Sequence, residues 1–353
     1  MLRTALCHPT IVEALRWEKT GEPIDGRTIA IAALGMAVPA FVGVALGRAE
    51  AGFTIGLGAM LLAGAPTPAG AAPEAPSPGS AILPAALAVL AATAIAGAAW
   101  TDVAVVALAG MAAAVSGYSR PVGVAAIRFI IYFVLSISLI DAAGDRRGSA
   151  ALIFGLGALW NIALRLTLAR VPVPPPVAPG RVATTAQRNA HWRRTMRSLA
   201  GWQFPIRLML GLGVASMLRQ LWPTHHYGWI VLTVALLTQR PLEPLPVKTI
   251  QRAAGTALGV ALTWAILIGL AAPLALAAAI CVLATGAAIA RPRNYLAYAV
   301  LATPVILLVL DIGKPIEPAL LVDRLVATLA AAAIVVAANL AMGRWLPRDA
   351  AGR

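Results

Sequence analysis

The sequence predicts an all-α integral membrane protein of about twelve transmembrane helices, arranged as two parallel six-helix repeats with both termini inside. Three observations lead there. Sixty per cent of the residues are hydrophobic and only 12% are charged, about half the charged fraction of a soluble domain. Mean hydropathy is +0.82, and the apolar residues come in blocks long enough to cross ~30 Å of hydrocarbon. Lysine and arginine, finally, collect in every second loop, as the positive-inside rule requires.

Taken in order, the blocks fall at 28–47, 52–65, 81–99, 103–117, 122–141 and 149–168, then at 202–221, 227–238, 251–270, 274–290, 294–312 and 319–343. Several are shorter than the ~20 residues a straight span needs, so ten or eleven spans is the alternative count. With the N-terminus inside, five of the 28 Lys/Arg lie in outer segments: Arg48, Arg146, Arg147, Arg219 and Lys314. Arg128 and Arg324 fall inside spans, and the rest lie on the cytoplasmic side. A wrong helix count would scramble this alternation.

The expected organisation is a cytoplasmic segment 1–27, a first membrane repeat 28–168, a linker 169–201, a second repeat 202–346 and a short tail 347–353. Residues 1–27 carry charges, Pro9 and Pro23 but no early apolar core, so no secretory signal is expected. Thr10-Ile11-Val12-Glu13 has the form of a capping box for a short helix. Residues 66–80 read as a flexible inner loop. In the linker, Val171–Gly180 (VPVPPPVAPG) reads as a polyproline spacer. Trp192, Met196 and Leu199 beyond it share a helical face beside Arg193, Arg194 and Arg197. That pattern suits either a helix on the inner headgroups or a solvated basic linker.

The halves resemble diverged copies. A shift of 176 residues lays Phe53–Leu57 over Trp229–Thr233, and Pro66 and Pro241 close the two short segments. An even number of spans per copy makes the repeats parallel. The second span is short in both, and short spans at matching repeat positions point to a transport site.

Composition excludes other classes. A net charge of +14 in a membrane chain is explained by orientation and anionic lipids before nucleic acid. Cys7 and Cys281 lie in different environments, so neither a disulfide nor a metal clip is expected. No Walker A sequence, nucleophile elbow, metal-ligand cluster or paired carboxylates occur. These absences predict no enzyme, no catalytic residues, no metal and no cofactor.

Polar residues at membrane depth remain, and such residues are functional candidates by default. They concentrate in His225-His226-Tyr227-Gly228-Trp229 through Thr233, in Gln239-Arg240-Pro241, and in Lys248 through Gly259. A Trp in a short span, a turn with Pro, and then Arg252-x-x-Gly255-Thr256-x-x-Gly259 opening the next helix resembles the fusaric acid resistance (FUSC-like) and aromatic acid exporter family. Asp323–Leu329 is similar to that family's closing helix. The motif-level likeness covers Trp202–Leu346; residues 81–99 lack the counterparts of Arg252, Gly255 and Thr256.

The resemblance implies export of small, often aromatic, carboxylic acids across a bacterial inner membrane, with the proton gradient as the implied drive. Its plant relatives imply a gated organic-anion channel as the alternative, and a non-transporting scaffold is a third reading. Implied partners are the organic anion, membrane lipids, and a second copy or accessory efflux subunits.

An anion crossing low dielectric needs fixed positive charge and donors, and arginine matches a carboxylate. Arg128, Arg207 and Arg252 are placed to supply it from the cytoplasmic side inward. Arg207 and Arg252 lie near helix ends and have snorkelling as their plain alternative. Thr256, between Gly255 and Gly259, is either a ligand contact or part of a close helix seam. Trp229 and Thr233 line the short span; Trp229 serves as an aromatic platform or an interfacial anchor. For proton coupling the candidates are His225, His226, Asp311 and Asp323, against solvated histidines and a structural pair to Arg324.

Overall fold

The computed structural model describes residues 26–63, 78–143, 147–168, 184–222, 228–243, 247–270, 272–310 and 318–345. Among these residues the secondary structure is entirely helical. Ala- and Leu-rich runs favour this intrinsically, and in hydrocarbon a helix satisfies every backbone group within its own segment. The first six helices are α1 (Gly26–Ala45), α2 (Ala49–Ala63), α3 (Pro78–Ile95), α4 (Thr101–Val115), α5 (Arg120–Ala143) and α6 (Arg147–Leu168). A linker helix α7 (Thr185–Thr195) follows. Then come α8 (Leu199–Leu221), α9 (Gly228–Leu237), α10 (Val247–Gly269), α11 (Pro273–Ala290), α12 (Tyr295–Leu310) and α13 (Pro318–Trp345).

Each of the twelve apolar blocks coincides with one helix, displaced by a few residues at most. Four segments are long and apolar enough to cross a membrane unaided: Gly26–Ala45, Arg120–Asp141, Val247–Gly269 and Ala319–Trp345. Gly47 and Gly97 take positive φ (67° and 80°) just beyond α1 and α3, the left-handed geometry that ends a helix cheaply only with glycine. The expected capping box at residues 10–13, the 66–80 loop and the polyproline spacer lie outside the described residues. The linker helix does carry a capping box. Gln187 N–H donates to Thr184 Oγ1 (3.3 Å) and Thr184 N–H donates to Gln187 Oε1 (2.9 Å). Trp192 pins this helix, its indole N–H donating to the Ala114 carbonyl (3.1 Å) and its ring meeting Tyr118 edge-on.

The helices gather into two compact units that cut across the halves of the chain. The first contains α1, α2, α6, α10, α11, α12 and the start of α13. Within it α1 packs on α2 and α11, α12 on α10, α11 and α2. The second contains α3, α4, α5, α7, α8, α9 and the rest of α13. There α8 packs on α9 and α4, and α5 on α3, α4 and α9.

In the first unit, small residues set the spacing. A Cβ on Gly255 would stand 2.5 Å from the Ala299 Cβ, and one on Gly259 would stand 2.7 Å from the Thr303 Cβ. Both distances are closer than carbon atoms approach, so the α10–α12 seam exists because these positions carry no side chain. Leu320 and Leu321 of α13 close over the same seam, packed with Leu307 of α12 and Val260 of α10.

Candidate functional site

One face of α10 is polar and buried. Thr249, Arg252, Thr256, Gly259 and Thr263 follow one another at steps of three and four, so they lie in one row along the helix. The Gly255/Gly259 seam presses that row against α12. Arg252 is 1% exposed and Thr256 is fully buried. On α13, Arg324 is also fully buried, and its guanidinium lies close enough to that of Arg252 for the two charges to interact. Asp323 beside it is 7% exposed and engaged with neighbouring groups.

Hydrogen bonding separates the threonines here into two kinds. Thr263, Thr303 and Thr328 each donate back to the carbonyl four residues earlier, at 2.9, 2.7 and 2.9 Å. The hydroxyls of Thr249 and Thr256 are buried without a hydrogen-bond partner. So are Nε and Nη2 of Arg252. A buried donor left unmade costs on the order of 1–3 kcal/mol, and a buried ion without compensation costs several. An anion accepting from Arg252 and Thr256 would offset both, because its oxygens supply the acceptors that the seam lacks.

The wall of this position changes character along α10. Toward the start of the helix, the Arg252 guanidinium reaches the hydroxyl of half-buried Tyr295. Exposed Lys248 lies over the face of the same ring, Nζ 6.0 Å from its centroid. Two turns beyond Arg252 stands the apolar cluster of Val260, Leu307, Leu320 and Leu321. Arg252 and Arg324 are both buried, with Tyr295 toward the start of α10 and the leucine cluster two turns on.

Of the residues singled out in the sequence, Arg252, Thr256 and Asp323 belong to this unit, and Arg128, Arg207, Trp229 and Thr233 to the other. Arg207 is 1% exposed, and its donors serve the chain itself. Nη1 donates to Asn339 Oδ1 (2.6 Å), Nη2 to the carbonyls of Gln239 (2.8 Å) and Arg240 (3.1 Å), and Nε to that of Gln203 (3.2 Å). Asn339 in turn donates to the Glu243 carbonyl (2.7 Å). α9 is only 10 residues long, about 15 Å, and the chain turns just past it at half-buried Gln239 and exposed Arg240. The carbonyls just past that end find their donors in Arg207 and Asn339. Arg128 is half-buried on α5 and engaged with neighbours; Trp229 is half-buried on α9. The Thr233 hydroxyl is buried without a partner. His225, His226 and Asp311 lie outside the described residues.

Several residues escaped sequence reasoning. Tyr295 of α12 comes up beside Lys248 only through the α10–α12 packing. Arg219, placed in an outer segment, holds Asp102 and Asp141 at 2.5 Å each, while Gln220 donates to Asp102 (2.6 Å); together they tie α8 to α4 and α5. The signal available for them was an arginine and two aspartates at the ends of apolar runs. Among the described residues no three His, Cys, Asp or Glu side chains gather as metal ligands do.

No curated protein and no solved structure matches the chain. The family model described as fusaric acid resistance protein-like does match it, over residues 214–338, from within α8 to within α13 and through all of the α10–α12 seam. That match points to a membrane transport role, and the segment carrying Arg252, Thr256 and Arg324 is fusaric acid resistance protein-like in sequence.

Proposed function

We infer that the protein exports small organic anions, with aromatic carboxylates foremost, across a bacterial inner membrane. The bound anion sits against Arg252, Thr256 and Arg324. One observation carries this reading: two nitrogens of a fully buried arginine and the hydroxyl next to them face the α10–α12–α13 seam without protein acceptors or donors. A carboxylate has the charge and the paired oxygens to complete that set.

Enclosure favours a carrier over an open conduit. Burial of Arg252, Thr256 and Arg324 suits the occluded stage of alternating access. Opening one side at a time gives vectorial movement, and a proton gradient is the drive that the family resemblance suggests.

The architecture in this reading is twelve spans in two parallel repeats with both termini inside. Helix pairing supports it. α1–α2 corresponds to α8–α9, α3–α5 to α10–α12, α4–α5 to α11–α12, α8–α4 to α1–α11, and α9–α5 to α2–α12. Sequence landmarks recur as well: Gly35 and Gly211, Asn161 and Asn339, and Arg-Pro followed some twenty residues later by Asp (Arg120-Pro121 to Asp141, Arg291-Pro292 to Asp311).

Efflux of radiolabelled benzoate and acetate from cells expressing wild type or Arg252→Gln, with and without a protonophore, tests the proposal. Protein-dependent efflux lost in the variant at equal membrane abundance supports it. Equal efflux by both overturns the role of Arg252, and efflux untouched by the protonophore overturns the proton drive.

A further inference from the structure

An apolar groove of about 390 Å³ opens between the first half of α3, the second half of α4 and the first half of α5. Leu83 and Leu87 line it from α3, Met111 and Val115 from α4, and Val122 and Phe129 from α5. Leu83, Leu87, Met111 and Val115 are exposed, and the Phe129 ring stacks on Phe133 with centroids 5.5 Å apart. Val115 and Val122 flank the turn from α4 to α5, and arginines collect around that turn. Arg120 opens α5 and is exposed. Arg240 reaches the same turn, its Nη1 3.4 Å from the Ser116 carbonyl. The linker helix α7 is fixed there by Trp192, which donates to the Ala114 carbonyl and meets Tyr118 edge-on. Arg188 stands one turn before Trp192 on the same face of α7, half-buried, with its buried Nε lacking a hydrogen-bond partner. No acidic residue occurs between Val103 and Ile140 or between Arg181 and Trp222, so these segments carry positive charge alone.

We propose that the groove holds an acyl chain of an anionic phospholipid whose phosphate binds among Arg120, Arg188 and Arg240. In a multi-pass membrane protein the exposed apolar side chains of the groove face hydrocarbon, so a lipid chain is the occupant at hand. Charge complementarity selects which lipid. The arginine fork matches the paired oxygens of a phosphate, and basic pockets between membrane helices take anionic headgroups. A zwitterionic headgroup carries a cation of its own, which the same arginines repel. Occupancy ties α7 to α4 and α5, because Arg188 and Arg120 then share one phosphate. The site is separate from the anion position at Arg252, which belongs to the other compact unit.

Native mass spectrometry of the full-length protein in nonionic detergent tests this, with dioleoyl phosphatidylglycerol, dioleoyl phosphatidylcholine or chain-free glycerol 3-phosphate added. The first phosphatidylglycerol should bind about tenfold more tightly than the first phosphatidylcholine, and glycerol 3-phosphate should not bind detectably. Arg120→Gln combined with Arg188→Gln should remove that preference. Arg194→Gln combined with Arg344→Gln loses as much charge from two exposed positions and should keep it. Ala125→Phe fills the groove and should weaken both lipids severalfold. Equal affinity of the wild type for the two lipids, equal loss in the two double variants, or unchanged lipid binding by Ala125→Phe overturns the proposal. So does glycerol 3-phosphate binding as tightly as phosphatidylglycerol, or a protein dimer that Ala125→Phe disrupts while lipid binding is unaltered.

Discussion

Replacing Thr256 by valine should stabilise the empty protein while weakening its hold on an anion. The swap preserves side-chain shape and removes one hydroxyl. That hydroxyl is fully buried and has no hydrogen-bond partner, so the wild type carries a desolvation cost on the order of 1–3 kcal/mol for it. Valine relieves that cost, and a gain of 1 kcal/mol corresponds to a rise in apparent Tm of roughly 1–2 °C for a chain of this length. When an anion is bound the sign reverses. The lost hydrogen bond to the ligand is worth about 0.5–1.5 kcal/mol, or roughly two- to tenfold in affinity. Thermal unfolding of detergent-solubilised wild type and variant, with and without benzoate, reads both effects. Thr263→Val is the control, because Thr263 donates to the Gly259 carbonyl and gains nothing by losing its oxygen. A Thr256→Val protein that melts lower than wild type without ligand, with the same benzoate-induced shift, would refute the reasoning and return Thr256 to helix packing.

Other expectations follow from the same contacts. Arg207→Gln should cost about 1–3 kcal/mol, because it strands the buried Asn339 oxygen and the part-buried carbonyls beyond α9; a fall in folded yield by size-exclusion chromatography checks this, and an unaltered yield contradicts it. Gly255→Ala should destabilise by about 1–3 kcal/mol through its 2.5 Å encounter with Ala299, whereas Gly213→Ala, with nothing within 4 Å, should be neutral or better; melting temperatures compare the two. Arg219→Gln should cost no more than about 1 kcal/mol, since the arginine side chain keeps 27% exposure and its partners Asp102 and Asp141 keep 18% and 41%; a large loss of stability would show that the bridge matters more than its exposure allows. Trp192→Ala should free α7 from the end of α4 and speed proteolysis within the linker, and equal cleavage would show that the Ala114 and Tyr118 contacts do not hold it.

Hydropathy made the helices legible because a membrane-spanning helix needs one long apolar run and nothing else. All twelve blocks became helices, and four segments among them are long and apolar enough to cross a membrane unaided. The same uniformity hid the packing. Helices that are apolar on every side give no indication of which neighbour each will choose, and the gathering of helices from both halves into each unit was not readable from the blocks. Arg252 and Thr256 were visible because a cation and a hydroxyl stand beside glycines where hydrocarbon was expected. The meeting of Arg252 with Arg324 was not, since it joins positions far apart in the chain and depends on α13 entering beside α10 and α12. Arg207 illustrates a different blind spot. Its main partners are backbone carbonyls, which every residue possesses and no sequence marks, so an arginine near a helix end resembled a pathway residue as much as a clamp.

Counterflow in proteoliposomes tests the central claim most directly. Purified wild type, Arg252→Gln and Arg252→Lys would be reconstituted with unlabelled benzoate inside, and uptake of labelled benzoate followed. The account predicts rapid accumulation by wild type, none by Arg252→Gln, and weak accumulation by Arg252→Lys, which keeps the charge but loses the planar fork. Accumulation by Arg252→Gln at the wild-type rate would contradict it.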